Sequence, residues 1–183
     1  AEYGKINSPI KETALCRPQT PYAIAKFLCS KYLMKFFIEM KFPVTIFRLF
    51  QVYGPKQDDN RIIPFLINNC LKNKNFFTTE GKQICDFCHI DDVVNAIFKS
   101  INNKKTNGLI LNIGSGKPIS IKKVINLVLK TIGKGKPIFG GLDYKKDTNK
   151  NNFPNIAKAK KKLGWRPKIR IEDGILKTIE SFK

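Results

Sequence analysis

Apolar residues along this chain recur at two spacings, one typical of helices and one typical of short strands. Helical spacing predicts six helices, over residues 21–40, 62–71, 91–101, 121–132, 156–163 and 173–182. Runs of β-branched and aromatic residues predict strands over residues 44–50, 76–78, 84–88 and 109–113. Because strands alternate with helices, the pattern indicates an α/β fold.

The apolar stripes of two helices predict which sides face the core. We expect the first helix to bury Ile24, Leu28, Tyr32 and Phe36. We expect the helix that begins at Asp91 to bury Val94, Ile97, Phe98 and Ile101. Residues 133–152 are polar and rich in Gly and Lys, which predicts a loop.

The strand at 44–50 is expected to be a buried parallel strand. Ligands of open α/β sheets bind at the carboxyl ends of such strands. The loop after residue 50 is therefore a candidate ligand site. Thr20 and Ser120 each precede a predicted helix and are expected to be N-caps.

Composition places the chain among globular proteins, with 42% hydrophobic and 11% aromatic residues. No apolar run is long enough to span a bilayer. Five cysteines, an odd number, suit a reducing compartment, so a cytoplasmic location is expected. The Cys85-x-x-Cys88 spacing invites a metal hypothesis, but residues three apart on a strand point to opposite faces, and no second ligand pair follows.

The net charge is +20, and +15 of it falls from Ile101 onward, where 20 basic and 5 acidic residues lie. Such a charge usually suggests an acidic partner, nucleic acid included. However, 29 of the 34 cations are lysines, in a chain also rich in Asn, Ile and Phe. This composition favours a solvated basic surface over a nucleic-acid interface.

Tyr22 and Lys26 lie four residues apart at the start of the first predicted helix. On a helix this spacing places both side chains on one face. A nearby ammonium stabilises a phenolate, and a phenolate can act as a general base toward a hydroxyl group. The spacing alone also arises by chance in a lysine-rich chain, so its weight depends on the surrounding segments.

Several segments, in order, make this pair resemble the Tyr-x-x-x-Lys of the extended short-chain dehydrogenase/reductase superfamily. The similar segments are Tyr3-Gly4, Phe47 to Pro55, Arg61-Ile62-Ile63-Pro64, Cys85 to Val93, Asn112 to Gly116 and Lys158 to Trp165. Within that superfamily the chain resembles the NAD-dependent nucleotide-sugar epimerases and dehydratases. The resemblance runs from about residue 1 to the C-terminus.

The resemblance implies a fold and a division of the chain. The expected fold is α/β: the second half of a Rossmann-like doubly wound parallel sheet, with a smaller α/β substrate-binding domain. Residues 1–57 would complete the NAD-binding domain, and 58–183 would mainly form the nucleotide-sugar-binding domain. Segments near 90–115 would return to the large sheet.

The resemblance also implies site residues. Tyr22 and Lys26 would be catalytic and, with Phe50, would contact the cofactor NAD, or NADP as an alternative. Gln51, Arg61, Thr78, Cys85 and Lys145 would bind the nucleotide-diphosphate sugar. Cys85 departs from the family pattern, which has Arg there, and Lys145 or Lys146 would partly compensate as a point charge. A homodimer is implied for the complete enzyme, with no membrane partner.

The chain has no Gly-x-x-Gly-x-x-Gly turn, and the family's catalytic Ser/Thr would fall just before Ala1. The sequence is therefore expected to be a C-terminal portion, a truncated product or a split half, inactive by itself. The run at Phe50 to Pro55 favours a 4-epimerase. The alternatives are a 4,6-dehydratase or reductase, an inactive remnant, and a basic RNA-binding module.

Overall fold

The computed structural model describes residues 2–144 and 149–182, which form an α/β protein. All six helices predicted from the sequence are present. They are α1 (Pro21–Met40), α2 (Ile62–Leu71), α3 (Ile90–Ile101), α4 (Ile121–Ile132), α5 (Ala157–Leu163) and α6 (Ile171–Glu180). A short 3-10 helix, Lys104–Thr106, follows α3.

Among the described residues, nine strands pair mostly in parallel, as expected when helices connect them. They are β1 (Thr45–Leu49), β2 (Gln51–Tyr53), β3 (Asn75–Phe77), β4 (Ile84–Cys85), β5 (Phe87–His89), β6 (Leu109–Ile113), β7 (Ile119–Ser120), β8 (Lys136–Ile138) and β9 (Asn151–Asn152). The parallel pairs are β1 with β6, β2 with β5, β3 with β8 and β4 with β9. Strand β4 also pairs antiparallel with β7.

Helix ends follow local sequence. The Thr20 hydroxyl accepts a hydrogen bond from Ala23 N at 3.2 Å, and the Ser120 hydroxyl accepts one from Lys123 N at 3.3 Å. Both are N-caps, as predicted. Gly133 has a positive φ of 75° and ends α4, a conformation that glycine adopts without strain.

Two clusters of buried side chains hold the elements together. The larger lies between α2, α4 and α6 and includes Ile63, Val124 and Ile175. The smaller lies between β6, α3 and α5 and includes Leu111 and Trp165. The described part of the chain contains no helix that combines the length and the apolar character needed to cross a bilayer.

The predicted buried stripes of α1 and α3 are wrong. Along α1, Ile24, Leu28 and Tyr32 are exposed and Phe36 is half-buried, whereas the buried residues of this helix are Ala23 and Ser30. Along α3 the buried side is formed instead by Asp92, Val93 and Ala96. The exposed residues of α3 are Val94, Ile97, Phe98 and Ile101. Most of the apolar pattern on these two helices therefore does not coincide with burial.

Two other expectations need correction. The segment 133–152 is not wholly a loop, because β8 and β9 lie in it and pair with β3 and β4. The single strand predicted over 84–88 is two strands, separated at Asp86, that pair with different partners. Strand β6 lies beside β1, but the division of the chain at residue 57 stays a prediction.

Candidate active site

A cleft of about 770 Å³ opens where β1 ends. Leu49, Phe50 and Gln51 form its floor, the start of α1 forms one wall, and Arg61 lies on another. Carboxyl ends of parallel strands are the usual ligand sites of open α/β sheets. The cleft is therefore where the sequence predicted a ligand site, in the loop after β1.

Tyr22 and Lys26 both line this cleft from the first two turns of α1. Lys26 Nζ lies 5.5 Å from the centroid of the Tyr22 ring, within the range of a cation–π contact. Tyr22 is 65% exposed, so its phenol is accessible to a ligand in the cleft. The buried Ala23 between them fixes this end of α1 against the protein.

Three further predicted residues meet the same cleft. Phe50 is half-buried, and Gln51 begins β2, where its N–H donates to Asp86 O at 3.2 Å. Arg61 is exposed and occupies the N-cap position of α2, but its side chain makes no capping hydrogen bond. An arginine at this position could also serve only to cap the helix. The Arg61 guanidinium does not do so, and Arg61 lines the cleft.

Two other predicted ligand contacts, Thr78 and Cys85, are not brought to the cleft. Thr78 is buried, and its N–H donates to Ile138 O at 3.0 Å. Cys85 is buried in β4, and burial raises the pKa of its thiol to about 11. Neither residue is among those that line the cleft. Lys145 lies outside the described residues. The assignment of these three residues to substrate binding stays a prediction.

The sequence analysis did not identify a largely buried polar network that forms part of the cleft lining, through Glu2, Tyr3 and Arg48. Arg48, in β1, lies 2.8 Å from Glu2, measured from Nη2 to Oε2, and its guanidinium carbon lies 4.6 Å from the centroid of the Tyr3 ring. The Ser30 hydroxyl of α1 donates to the other Glu2 oxygen at 3.1 Å. The sequence did contain a signal for this network, since Arg48 is the only charged residue of the apolar strand β1. A buried cation needs a partner, so a nearby carboxylate could have been expected.

Tyr3 extends this network to the neighbouring strand. Its hydroxyl donates to Asn112 Oδ1 of β6 at 2.7 Å. Burial raises the pKa of Tyr3, which keeps this phenol neutral and able to donate. The network thus joins the loop at Tyr3, strands β1 and β6, and helix α1, and it fixes the elements that surround the cleft.

Asp86 stabilises the turn that follows β6. Its carboxylate accepts hydrogen bonds from Gly116 N at 2.6 Å and from Ser115 N. Burial raises the pKa of Asp86, and these amide contacts act against that rise. Among the described residues no cluster of three or more His, Cys, Asp or Glu could hold a metal ion.

The sequence resembles known proteins over nearly its whole length. The sequence model of the NAD dependent epimerase/dehydratase family matches residues 1–114. Human dTDP-D-glucose 4,6-dehydratase is 32% identical over 98% of this chain and 53% of its own length. A putative UDP-glucose 4-epimerase of Methanocaldococcus jannaschii is 28% identical over 100% of this chain and 60% of its own length.

Solved structures match the fold equally well. The UDP-glucose 4-epimerase of Thermotoga maritima, with UDP-glucose, has a TM-score of 0.90 and 29% identity, over 98% of this chain and 59% of that one. The UDP-glucuronic acid 4-epimerase of Bacillus cereus, with UDP-glucuronic acid and NAD, has a TM-score of 0.90 and 27% identity. This match covers 98% of this chain and 58% of that one. The chain thus spans little more than half the length of these relatives.

Proposed function

The chain belongs to the NAD dependent epimerase/dehydratase family, and from this premise we propose that it forms part of an NAD-dependent nucleotide-sugar 4-epimerase. The observation that carries the proposal is the meeting of Tyr22 and Lys26 in one cleft with Gln51 and Arg61. A phenol, an ammonium, an amide and a guanidinium are the groups that such a reaction needs for proton transfer and for holding a charged sugar nucleotide.

The residues of the cleft fit the nicotinamide end of the cofactor. Lys26 presents an ammonium to ribose hydroxyls, and Phe50 presents an apolar surface beside it. Lys26 lies against the ring of Tyr22, so one cation can serve both the ribose and the phenolate. NAD, when bound, accepts and returns a hydride, and NADP is the alternative.

In the proposed reaction Tyr22 Oη would take the proton of the sugar 4-hydroxyl while the hydride of C4 passes to NAD held beside Lys26 and Phe50. The sugar would then be a 4-keto sugar, with the proton held on Tyr22. After the ketone has turned over, the hydride would return from the cofactor to the other face of C4, and Tyr22 would return the proton to the oxygen. Lys26 would place its positive charge beside Tyr22 during both proton transfers.

Gln51 and Arg61 are proposed to hold the nucleotide-diphosphate sugar. The Gln51 amide can both donate to and accept from sugar hydroxyls, and the Arg61 guanidinium can bind a phosphate with two hydrogen bonds. We assign three further contacts with the nucleotide-diphosphate sugar to Thr78, Cys85 and Lys145. A thiol such as Cys85 cannot make a charged bond to phosphate, so Arg61 would carry most of that interaction.

A 4,6-dehydratase is the second candidate, and its support is the 32% identity to the human dTDP-D-glucose 4,6-dehydratase. Incubation of the full-length protein with NAD and UDP-glucose, UDP-glucuronic acid or dTDP-glucose tests both reactions. Proton NMR of the sugar product would show a C4 epimer for the first candidate and a 4-keto-6-deoxy sugar for the second. Failure to convert any of the three, with no binding of NAD, would contradict both.

We further infer that the complete enzyme is a homodimer in the cytoplasm. The exposed apolar residues of α1, among them Ile24, Leu28 and Tyr32, offer a surface that a second copy would cover. All five cysteines are free, which suits a reducing compartment. Light scattering of the full-length protein checks the dimer, and a monomeric mass would contradict it.

A further inference from the structure

A second concave site lies away from the cleft, beside the later turns of α3. It encloses about 440 Å³ between α3, the end of α5 and the segment after α5. Its lining, which we call the basic pocket, consists of Asn95, Lys99, Lys160, Gly164, Arg166 and Lys168.

The basic pocket lies toward the opposite end of the parallel strands from the cleft. The cleft is where β1 ends, whereas the chain runs from the end of α3 through the 3-10 helix to the beginning of β6. Beside that beginning, Gly108 N donates to Val44 O at 2.7 Å, next to the start of β1. Asn103 Nδ2 of the same connection donates to Lys162 O of α5 at 3.5 Å. The two sites share no lining residue.

Four of the six lining residues that the structure describes are cations, and none of the six is acidic. Within residues 2–144 and 149–182, none of these four cations forms an ion pair with a carboxylate. Cations held around one concavity reinforce each other's potential and attract anions. The basic pocket is therefore a region of unneutralised positive charge.

Buried contacts fix the wall that carries Arg166 and Lys168. Trp165 is fully buried, and its indole N–H donates to Asp92 O at 3.0 Å. The Asp92 carboxylate accepts from Lys168 N at 2.9 Å and from Ile169 N at 3.0 Å. This carboxylate is thus engaged with backbone amides, and the wall is held in place before any ligand arrives.

Helix stability explains only part of this charge. Lys99 and Lys160 lie in the last turns of α3 and α5, where cations complement the helix dipole. Arg166 and Lys168 lie outside any helix and have no such role. Helix stability therefore does not account for their position beside the two helical lysines.

We propose that the basic pocket binds a small anion that carries two or more phosphate groups. Arg166 can hold one phosphate group with two hydrogen bonds. The lysines can act as point charges on the neighbouring phosphate group of the same anion. The volume lies within the range of small-ligand sites. This site would act independently of the sugar-nucleotide cleft.

Calorimetric titration of the full-length protein with inorganic pyrophosphate tests the proposal. The variant Lys99→Gln/Lys168→Gln should bind about tenfold or more weakly, because each charged contact to phosphate contributes strongly. The matched control is Lys72→Gln/Lys74→Gln, which removes the same charge from two exposed lysines after α2. This control should retain the affinity within about twofold.

Three results would overturn the proposal. One is that the wild-type protein does not bind pyrophosphate. Binding of a single-stranded oligonucleotide in a parallel titration, without binding of pyrophosphate, would count as the same result. Another is an equal loss in both lysine pairs, which would mean a general charge effect. The third is binding that Arg61→Gln abolishes and Lys99→Gln/Lys168→Gln retains, which would place the anion in the cleft. That third result would leave the proposed function standing.

Discussion

Arg48 and Glu2, which both line the cleft, form a largely buried ion pair, with Arg48 Nη2 2.8 Å from Glu2 Oε2 and side chains only 7% and 13% exposed. Arg48 Nε donates to the same Glu2 oxygen at 3.0 Å. Two contacts from one guanidinium, with Ser30 on the second carboxylate oxygen, leave both charges compensated. The pair joins residues 46 positions apart and thereby fixes the loop at Tyr3 to β1.

Replacement of Arg48 by Met should destabilise the fold strongly. It leaves the Glu2 carboxylate buried without its cation, and loss of one partner of a buried pair costs about 3–5 kcal/mol. Denaturant unfolding of the full-length protein measures this change in the free energy of unfolding. The control is Lys35→Gln, which breaks an exposed pair with Glu39 and should cost less than about 1 kcal/mol. Similar losses in the two variants would contradict a special role for the buried pair.

Gly174 is expected to tolerate no side chain. A methyl group at this position of α6 would overlap the Tyr53 hydroxyl, so Gly174→Ala should cost about 1–3 kcal/mol in spite of the higher helix propensity of Ala. Tyr53 Cζ and His89 Cδ2 also lie close to the added methyl group, so Tyr53→Phe should relieve only part of this loss in the same unfolding experiment. Equal losses in both backgrounds would mean that the hydroxyl is not the main obstacle.

Tyr53→Phe by itself should change stability little. The Tyr53 hydroxyl is buried and has no hydrogen-bond partner among the described residues. Its removal therefore leaves no other group without a hydrogen bond. We expect a change in the free energy of unfolding within about 1 kcal/mol. A loss of several kcal/mol would mean that the hydroxyl has a partner in the intact protein.

Acid should destabilise the fold through His89, the only histidine in the chain. Burial lowers the pKa of His89 from its usual 6.5, with Lys177 acting in the same direction and Asp91 and Asp92 opposing it. His89 Nδ1 accepts a hydrogen bond from Asp91 N at 3.2 Å, which a proton on Nδ1 would break.

Below pH 6.5 the unfolded chain therefore binds a proton that folded His89 does not. Stability should fall as pH decreases from 6.5 toward 5, by up to about 1.4 kcal/mol per pH unit. Most carboxylates titrate near pH 4, and Asp86, whose pKa burial raises, would act with the opposite sign in this window. A loss of stability between pH 6.5 and 5 therefore indicates the histidine, and His89→Gln should remove that loss. A loss that persists in this variant would assign the effect to other groups.

Element positions could be predicted from the sequence because their signals are local. Thr20 and Ser120 mark helix starts by hydrogen bonds that span three residues, and both caps are present. Tyr22 and Lys26 meet because four residues make one helical turn. The cleft could likewise be placed after β1, since strand ends in parallel sheets carry ligand sites.

Burial and long-range pairing could not be predicted in the same way. Periodicity shows that Leu28 and Phe98 lie on apolar stripes, but not whether another element covers them. The predicted strand is interrupted at Asp86 because β4 pairs with β7 and β9, whereas β5 pairs with β2. These partners are distant in sequence. The Arg48 network likewise depends on contacts with Glu2 and Tyr3, far from Arg48 along the chain.

The central claim is that Tyr22 is the general base of an NAD-dependent reaction on a sugar nucleotide. Turnover by the full-length Tyr22→Phe variant tests it most directly, with Tyr53→Phe as the control, because Tyr53 does not line the cleft. Loss of the base should lower kcat by about 10²–10⁴-fold, with circular dichroism unchanged and the control fully active. Wild-type turnover by Tyr22→Phe would contradict the assignment.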